Sequence, residues 1–237
     1  MHSIQMSVVC RSAVALLAVL LISARASAVT LVPVADTFIT IHPGLGGAGS
    51  NHGPDTSLYV ISPNVGSPNP VYTATLVRFD LSAYAGQTVQ GPATLSMYVQ
   101  GTNFGPGIPD RLIALKNISG TWNEATVSAN NATLVPGAIV DQQTVHYLSP
   151  ADDGYVSWTL PAAYVQGWID APATNSGLYV ENQSGGAFND LQFGSRESAR
   201  PPLLTFVVPE PATLGLMSIG ATALLARRRK ANRNEQD

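Results

Sequence analysis

The sequence predicts an all-β protein: one antiparallel β-sandwich, jelly-roll-like, between an N-terminal signal peptide and a C-terminal transmembrane sorting helix. Three observations carry this reading. Short segments alternate apolar and polar residues with period two, Gly and Pro punctuate them closely, and the long apolar runs are confined to the two ends. The 237 residues are 45% hydrophobic, 11% charged and carry a net charge of −3. Disorder does not fit so few charges, and a nucleic-acid partner would need clustered cations. With a single cysteine there is no disulfide framework.

At the N-terminus, Arg11 precedes the ten-residue apolar run Ala13–Ile22, and Ala26-Ser27-Ala28 follows as a small-x-small cleavage site. Ten apolar residues are too few to span a bilayer. Residues 1–28 therefore read as a secretory signal peptide, with Ala26 and Ala28 setting the cut and the Sec translocon as export partner. Cys10 lies ahead of the apolar run, which argues against a lipoprotein anchor.

The C-terminus, residues 209–237, has three parts. Pro209-Glu210-Pro211 stops the last strand and restricts the backbone around an accessible Glu. Ala212–Ala226 follows, fifteen residues without a charge, and Arg227, Arg228, Arg229 and Lys230 close it. An amphipathic core helix would show a charged face, and this run has none. The cations would hold the end on the cytoplasmic side of a membrane. The order and spacing resemble the PEP-CTERM sorting signal of Gram-negative bacteria, which an exosortase, a membrane cysteine transpeptidase, recognises. The resemblance implies an inner-membrane-anchored precursor that is processed to the cell surface or extracellular matrix, in organisms that make exopolysaccharide.

Between the ends, residues 29–208 hold nineteen glycines and fifteen prolines, with five cations against twelve acids. Strands are expected in order at Asp36–Thr40, Ser57–Ser62 and Val71–Leu81. In the last of these Val71, Thr73, Thr75, Val77, Phe79 and Leu81 share one face, and Arg78 and Asp80 on the other can pair. Ala93-Leu95-Met97-Val99 alternates against Thr94-Ser96-Tyr98-Gln100. Arg111–Ile118 comes next, then Val156-Trp158-Leu160 alternating against Tyr155-Ser157-Thr159. One helical turn is expected at Pro161–Asp170, with Pro at its start. Gly177–Asn182, Leu191–Gly194 and Leu203–Val208 complete about nine strands. Half-buried antiparallel sheets give such a pattern.

A second resemblance runs through this region. Asp36-Thr37-Phe38, Asn51-His52-Gly53, Arg78-Phe79-Asp80-Leu81, Trp122-Asn123-Glu124, Val156-Ser157-Trp158, Gly194-Ser195-Arg196-Glu197 and Arg200-Pro201-Pro202-Leu203 follow one another in order. They resemble the DNRLRE domain, also grouped as carbohydrate-binding module family 96. The resemblance implies a β-sandwich of secreted surface proteins, some of which bind acidic polysaccharides such as alginate. Where that family often has Asp, this chain has Thr159. The excess of acids and the lone Lys116 also run against polyanion binding; neutral glycans, or calcium between acids, suit the charge better.

No Gly-x-Ser-x-Gly nucleophile or paired metal-ligand histidines occur, and a non-enzymatic protein is expected. His42 and His52 share a glycine-rich loop and read as surface residues. A buried structural ion pair is expected at Arg196-Glu197. Sugar binding would use exposed aromatics, and Tyr59, Tyr72, Tyr98 and Tyr179 are the candidates; Trp122, Trp158 and Trp168 read as core. Calcium, which takes several loop oxygens, has candidate ligands in Asp36, Asp152, Asp153 and Asp190.

These observations give an exported protein that binds or embeds in extracellular polysaccharide. A structural matrix protein without a glycan ligand is the alternative, and a polysaccharide-degrading enzyme with facing carboxylates a further one. Replacing Glu210 with Ala, or deleting Ala212–Lys230, is expected to change retention and processing in a host that has an exosortase. Mass spectrometry and fractionation test this, and an unchanged mature mass and location in both variants contradicts it.

Overall fold

In β5 (Ala93–Gly101), Ala93, Leu95, Met97 and Val99 are buried while Thr94, Ser96, Tyr98 and Gln100 are half-exposed. That alternation fixes the inner face of the whole sheet. The computed structural model describes residues 26–63, 71–102, 110–185 and 189–209, of which Ala28–Val207 form one compact unit. The strands before β5 are β1 (Ala26–Leu31), β2 (Ala35–Thr40), β3 (Ser57–Ile61) and β4 (Thr73–Arg78). After it come β6 (Asp110–Ser119), β7 (Val135–His146), β8 (Gly154–Leu160), helix α1 (Ala162–Asp170), β9 (Leu178–Asn182), β10 (Asp190–Gly194) and β11 (Leu203–Pro209). The result is an antiparallel, all-β sandwich.

Two strands organise its topology because each has three partners. β8 pairs with β5 over Ala93–Val99, so the other edge of β5 is divided between β11, at Thr94–Ser96, and β10, at Val99–Gly101. β4 likewise gives one edge to β2 and divides the other between β9 and β3. The sheet turns from β3 to β4 at the pair Ile61↔Thr73 and continues through β9 and β6 to β7. Between the layers Leu58, Leu95, Met97, Leu160, Leu191 and Phe193 are buried, with Val77, Ile113, Leu115, Leu178 and Val180 from the second layer. Trp158 crosses this core: its ring meets Phe193 edge-on at 6.1 Å, and its Nε1–H donates to the Ile113 carbonyl at 3.2 Å.

A second apolar cluster revises the expected half-wet β4. Thr73 to Val77 are all buried, because the β6–β7 connection lies over Ala74 and Leu76. That cluster joins Ala35, Ile39, Ala74, Leu76, Ile118, Trp122, Val127 and Tyr179, with Ala129, Ala132 and Leu134 against it. Trp122 donates its Nε1–H to the Ser176 carbonyl at 2.8 Å, and the Arg78 guanidinium sits 4.9 Å over its ring. Arg78 thus goes to Trp122, while Asp80 accepts from the Ser82 N–H at 2.9 Å instead of pairing with it. The three tryptophans are buried, as expected.

Eleven strands occur among the described residues, two more than the sequence suggests. β7, which is not among the expected strands, carries Pro136 and Gly137; an edge strand tolerates both, and β7 closes the β6 end of the sheet. β1 begins at Ala26, so Ala26 and Ala28 of the expected cleavage site stand in a strand beside β11. A cut after Ala28 leaves Val29–Leu31 of it, including Thr30, whose hydroxyl meets that of Thr205 at 3.0 Å. Among the described residues no helix is long and apolar enough to cross a membrane. The apolar run Ala13–Ile22, Glu210, Pro211, the run Ala212–Ala226 and Arg227–Lys230 lie outside them.

Trp122→Ala removes the centre of the second cluster. A loss of about 3–5 kcal/mol is expected from the cavity and the lost burial, read by denaturant unfolding, and a loss under about 1 kcal/mol contradicts the role assigned to that cluster.

Candidate functional site

Four of the short sequence motifs converge at one place. Asp36 comes from β2, Asn51 and Gly53 from the β2–β3 connection, Glu124 from the loop after Trp122, and Arg196-Glu197 from the β10–β11 turn. Arg196 is the hub. Its Nη2 donates to Glu124 Oε2 at 2.6 Å, its Nε to Glu197 Oε1 at 2.7 Å and its Nη1 to the Val34 carbonyl at 3.0 Å. Its backbone N–H donates to Asp36 Oδ2 at 2.8 Å, and the Asp36 N–H donates to Glu124 Oε1 at 2.9 Å. Asn51 donates to the carbonyls of Glu124 (2.7 Å) and Val127 (2.9 Å), fixing the loop that presents Glu124. A Cβ on Gly53 would stand 2.6 Å from the Glu124 carbonyl oxygen, so only glycine fits there.

One carboxylate oxygen from each of Asp36, Glu124 and Glu197 lies within 4.8 Å of the other two. Asp36 is 0% exposed and its Oδ1 has no hydrogen-bond partner among the described residues. Burial, with the charges of Glu197 and Glu124 adding to it, pushes the Asp36 carboxyl up to about 8, against the lowering pull of the Arg196 N–H and guanidinium. An open pocket of about 460 Å³ lies over the hub, lined by Asn51, Gly53, Pro54, Glu124, Ala125, Arg196 and Glu197. Sequence reasoning could not bring Glu124 to Asp36 and Arg196, because these partners are 88 and 72 positions away. The Trp-Asn-Glu triplet was the available signal.

The other candidates disperse. Asp152 accepts from the N–H groups of Leu148 (2.8 Å) and Ser149 (3.0 Å) as part of a capping box, which holds its carboxyl below the usual range. Asp153 accepts the Tyr147 hydroxyl at 2.9 Å. Asp190 is fully buried, and its charge acts on the equally buried Arg111. Of the four acids considered for calcium, Asp36 is the one in the three-carboxylate cluster. His42 and His52 are not surface residues: His42 is buried, and His52 stacks on Phe38 at 3.9 Å and meets Asp55 at 2.8 Å.

Nor do the four tyrosines share a face. Tyr179 is buried in the second cluster, Tyr72 is half-buried just before β4, and Tyr59 packs edge-on to Phe38 at 5.0 Å. Tyr98 pairs across β5–β8 with Tyr155, ring centroids 5.2 Å apart and planes 77° apart. Tyr155 is 46% exposed, and it was not among the candidates. The Arg200 guanidinium lies 4.1 Å over Tyr98, and the Tyr155 hydroxyl donates to the Pro201 carbonyl at 3.4 Å. Down the same outer face run Ser96 with Ser157, hydroxyls 2.8 Å apart, then Thr94 opposite Thr159 and Thr205. The face therefore combines an aromatic pair, an exposed guanidinium and rows of hydroxyls.

The model of carbohydrate-binding module family 96 matches residues 27–207. The chain belongs to that family. A model of the PEP-CTERM protein-sorting motif matches residues 207–230, so the family 96 module is followed directly by a signal for exosortase-targeted export. No curated protein matches the chain. Thr159 of this module lies on the outer face, and its backbone N–H donates to Asp141 Oδ2 at 2.7 Å.

The Asp36 carboxyl gives the module a pH signature. Its ordinary value is 3.8 and its folded value about 8, so between these the unfolded chain releases a proton that the folded one keeps. Stability in chelator is expected to fall as pH rises from 4 to 8, by up to about 1.4 kcal/mol per unit from this group. Asp36→Asn should flatten that slope in urea titrations at several pH values. A slope that the substitution leaves unchanged contradicts the assignment.

Proposed function

We propose that the protein is a non-catalytic, exported glycan-binding protein, processed by an exosortase and held among extracellular polysaccharide at the surface of a Gram-negative-type cell. Tyr155 carries the reading: a large aromatic 46% exposed on a strand face, braced by Tyr98. A sugar ring stacks its apolar face on such an aromatic, and directed polar groups fix its hydroxyls. Arg200 and the hydroxyls of Ser96, Ser157, Thr94 and Thr159 are the polar groups beside it. With twelve acids and five cations in residues 29–208, long-range repulsion opposes polyanions, and the preferred ligands are neutral glycans.

A hydrolase reading has less support. Glycosidases hold two carboxyl groups across a cleft, about 5 Å or more apart, with room for substrate between them. In this protein Glu124 and Glu197 are both bonded to Arg196, and Asp36 is buried beneath them.

Glycan-array and affinity-electrophoresis measurements on the full chain in detergent test the proposal. Binding to one or more neutral glycans is expected, with Tyr155→Ala and Arg200→Ala each weakening it about tenfold, equivalent to about 1.4 kcal/mol. Absence of binding across the array overturns the proposal. Binding that neither variant weakens removes it from this face, and a preference for uronate polymers contradicts the charge argument.

A further inference from the structure

The hub is more than an ion pair, because its charges do not balance. Three carboxylates face one guanidinium, leaving two negative charges uncompensated if all are ionised. The deepest of them, Asp36, is 0% exposed and has one oxygen, Oδ1, without a hydrogen-bond partner among the described residues. A buried carboxylate oxygen left unpaired is costly, and natural interiors seldom keep one without a reason. A pocket of about 460 Å³ is lined by two of these acids, Glu124 and Glu197, together with Arg196.

We propose that Asp36, Glu124 and Glu197 form a binding site for one hard divalent cation of the calcium class. The donors are oxygens only, which suits calcium and disfavours zinc, whose sites draw on Cys and His. Their mutual separation, within 4.8 Å, matches oxygens around an ion with bonds of about 2.3–2.6 Å. Two positive charges would offset the residual charge left after Arg196. Water entering through the pocket would complete the shell. Magnesium demands a tighter octahedron and keeps its own waters, so calcium is the better fit. The site shares no residue with the Tyr98–Tyr155 face and would stand if no glycan bound there.

The test is isothermal titration of CaCl2, and separately MgCl2, into the full chain in detergent after removal of metals by a chelator, with melting temperature as the second readout. One calcium per chain is expected, bound more tightly than magnesium. At calcium about a hundredfold over its dissociation constant, melting should rise by roughly 5–10 °C. Glu197→Gln, on the exposed member, should weaken calcium at least tenfold, and Asp36→Asn should abolish it, while Tyr155→Ala leaves it unchanged. If Asp36→Asn does not fold, Glu197→Gln and Glu124→Gln decide the matter. Neither heat nor a melting shift with calcium overturns the site, as does calcium binding that survives Glu197→Gln and Glu124→Gln undiminished. Tighter binding of magnesium than of calcium overturns the assignment to calcium.

Discussion

The bonding of Arg196, side chain and backbone together, is the interaction on which the other parts of the molecule depend. Four contacts, from Nη1, Nη2, Nε and the backbone N–H, reach Val34, Glu124, Glu197 and Asp36. They join the start of β2, the loop that roofs the second apolar cluster and the β10–β11 turn. The constraint is electrostatic. A carboxyl group as deeply buried as Asp36 is tolerated only where donors are fixed around it, and here the backbone N–H of Arg196 is one of them. The neighbouring sequence follows: glycine at position 53 because Glu124 lies against it, and Asn51 because the roof loop needs two carbonyls bonded.

The same turn links the hub to the outer face. Ser195 anchors it, donating its hydroxyl to the Asp55 carbonyl at 2.7 Å, and the Ser198 hydroxyl donates to the Ser195 carbonyl at 2.7 Å. Ser198 Oγ in turn accepts from the Arg200 N–H at 3.1 Å. Four residues beyond the hub, Arg200 lies on Tyr98, and Pro201 accepts the Tyr155 hydroxyl. A multiply bonded arginine therefore sets the position of an exposed guanidinium. Preorganisation of this kind lowers the ordering cost of binding at a surface with few contacts. The expected Arg196-Glu197 pair forms at 2.7 Å, but it is not buried: the two side chains are 36% and 25% exposed, because the β10–β11 turn lies at the surface.

The fold was legible where one face of a strand is wet. β5 and β8 show their alternation openly, and the paired faces follow from it. β4 misled because the roof loop buries its second face, and a roof 40 or more residues away leaves no local periodicity. β7 was hidden by Pro136 and Gly137 at its exposed end, and β1 by the small residues that also mark a cleavage site. For the site, the short motifs were visible but not their meeting, since Asp36, Glu124 and Arg196 are separated by 88, 72 and 160 positions. Tyr155 stood on the polar face of a recognised strand, yet its value comes from Tyr98 opposite and Arg200 beyond, which only the register reveals. Tyr179 failed for the converse reason: its strand face is polar in pattern but covered.

The central claim is that the Arg196 hub orders the turn that carries Arg200 to the outer face. Amide hydrogen exchange compared between the wild-type protein and Arg196→Ala tests it most directly. The account requires protection to fall at Ser198 and Arg200 while the β5–β8 ladder keeps its own. Unchanged protection at Ser198 and Arg200 in the variant would contradict it.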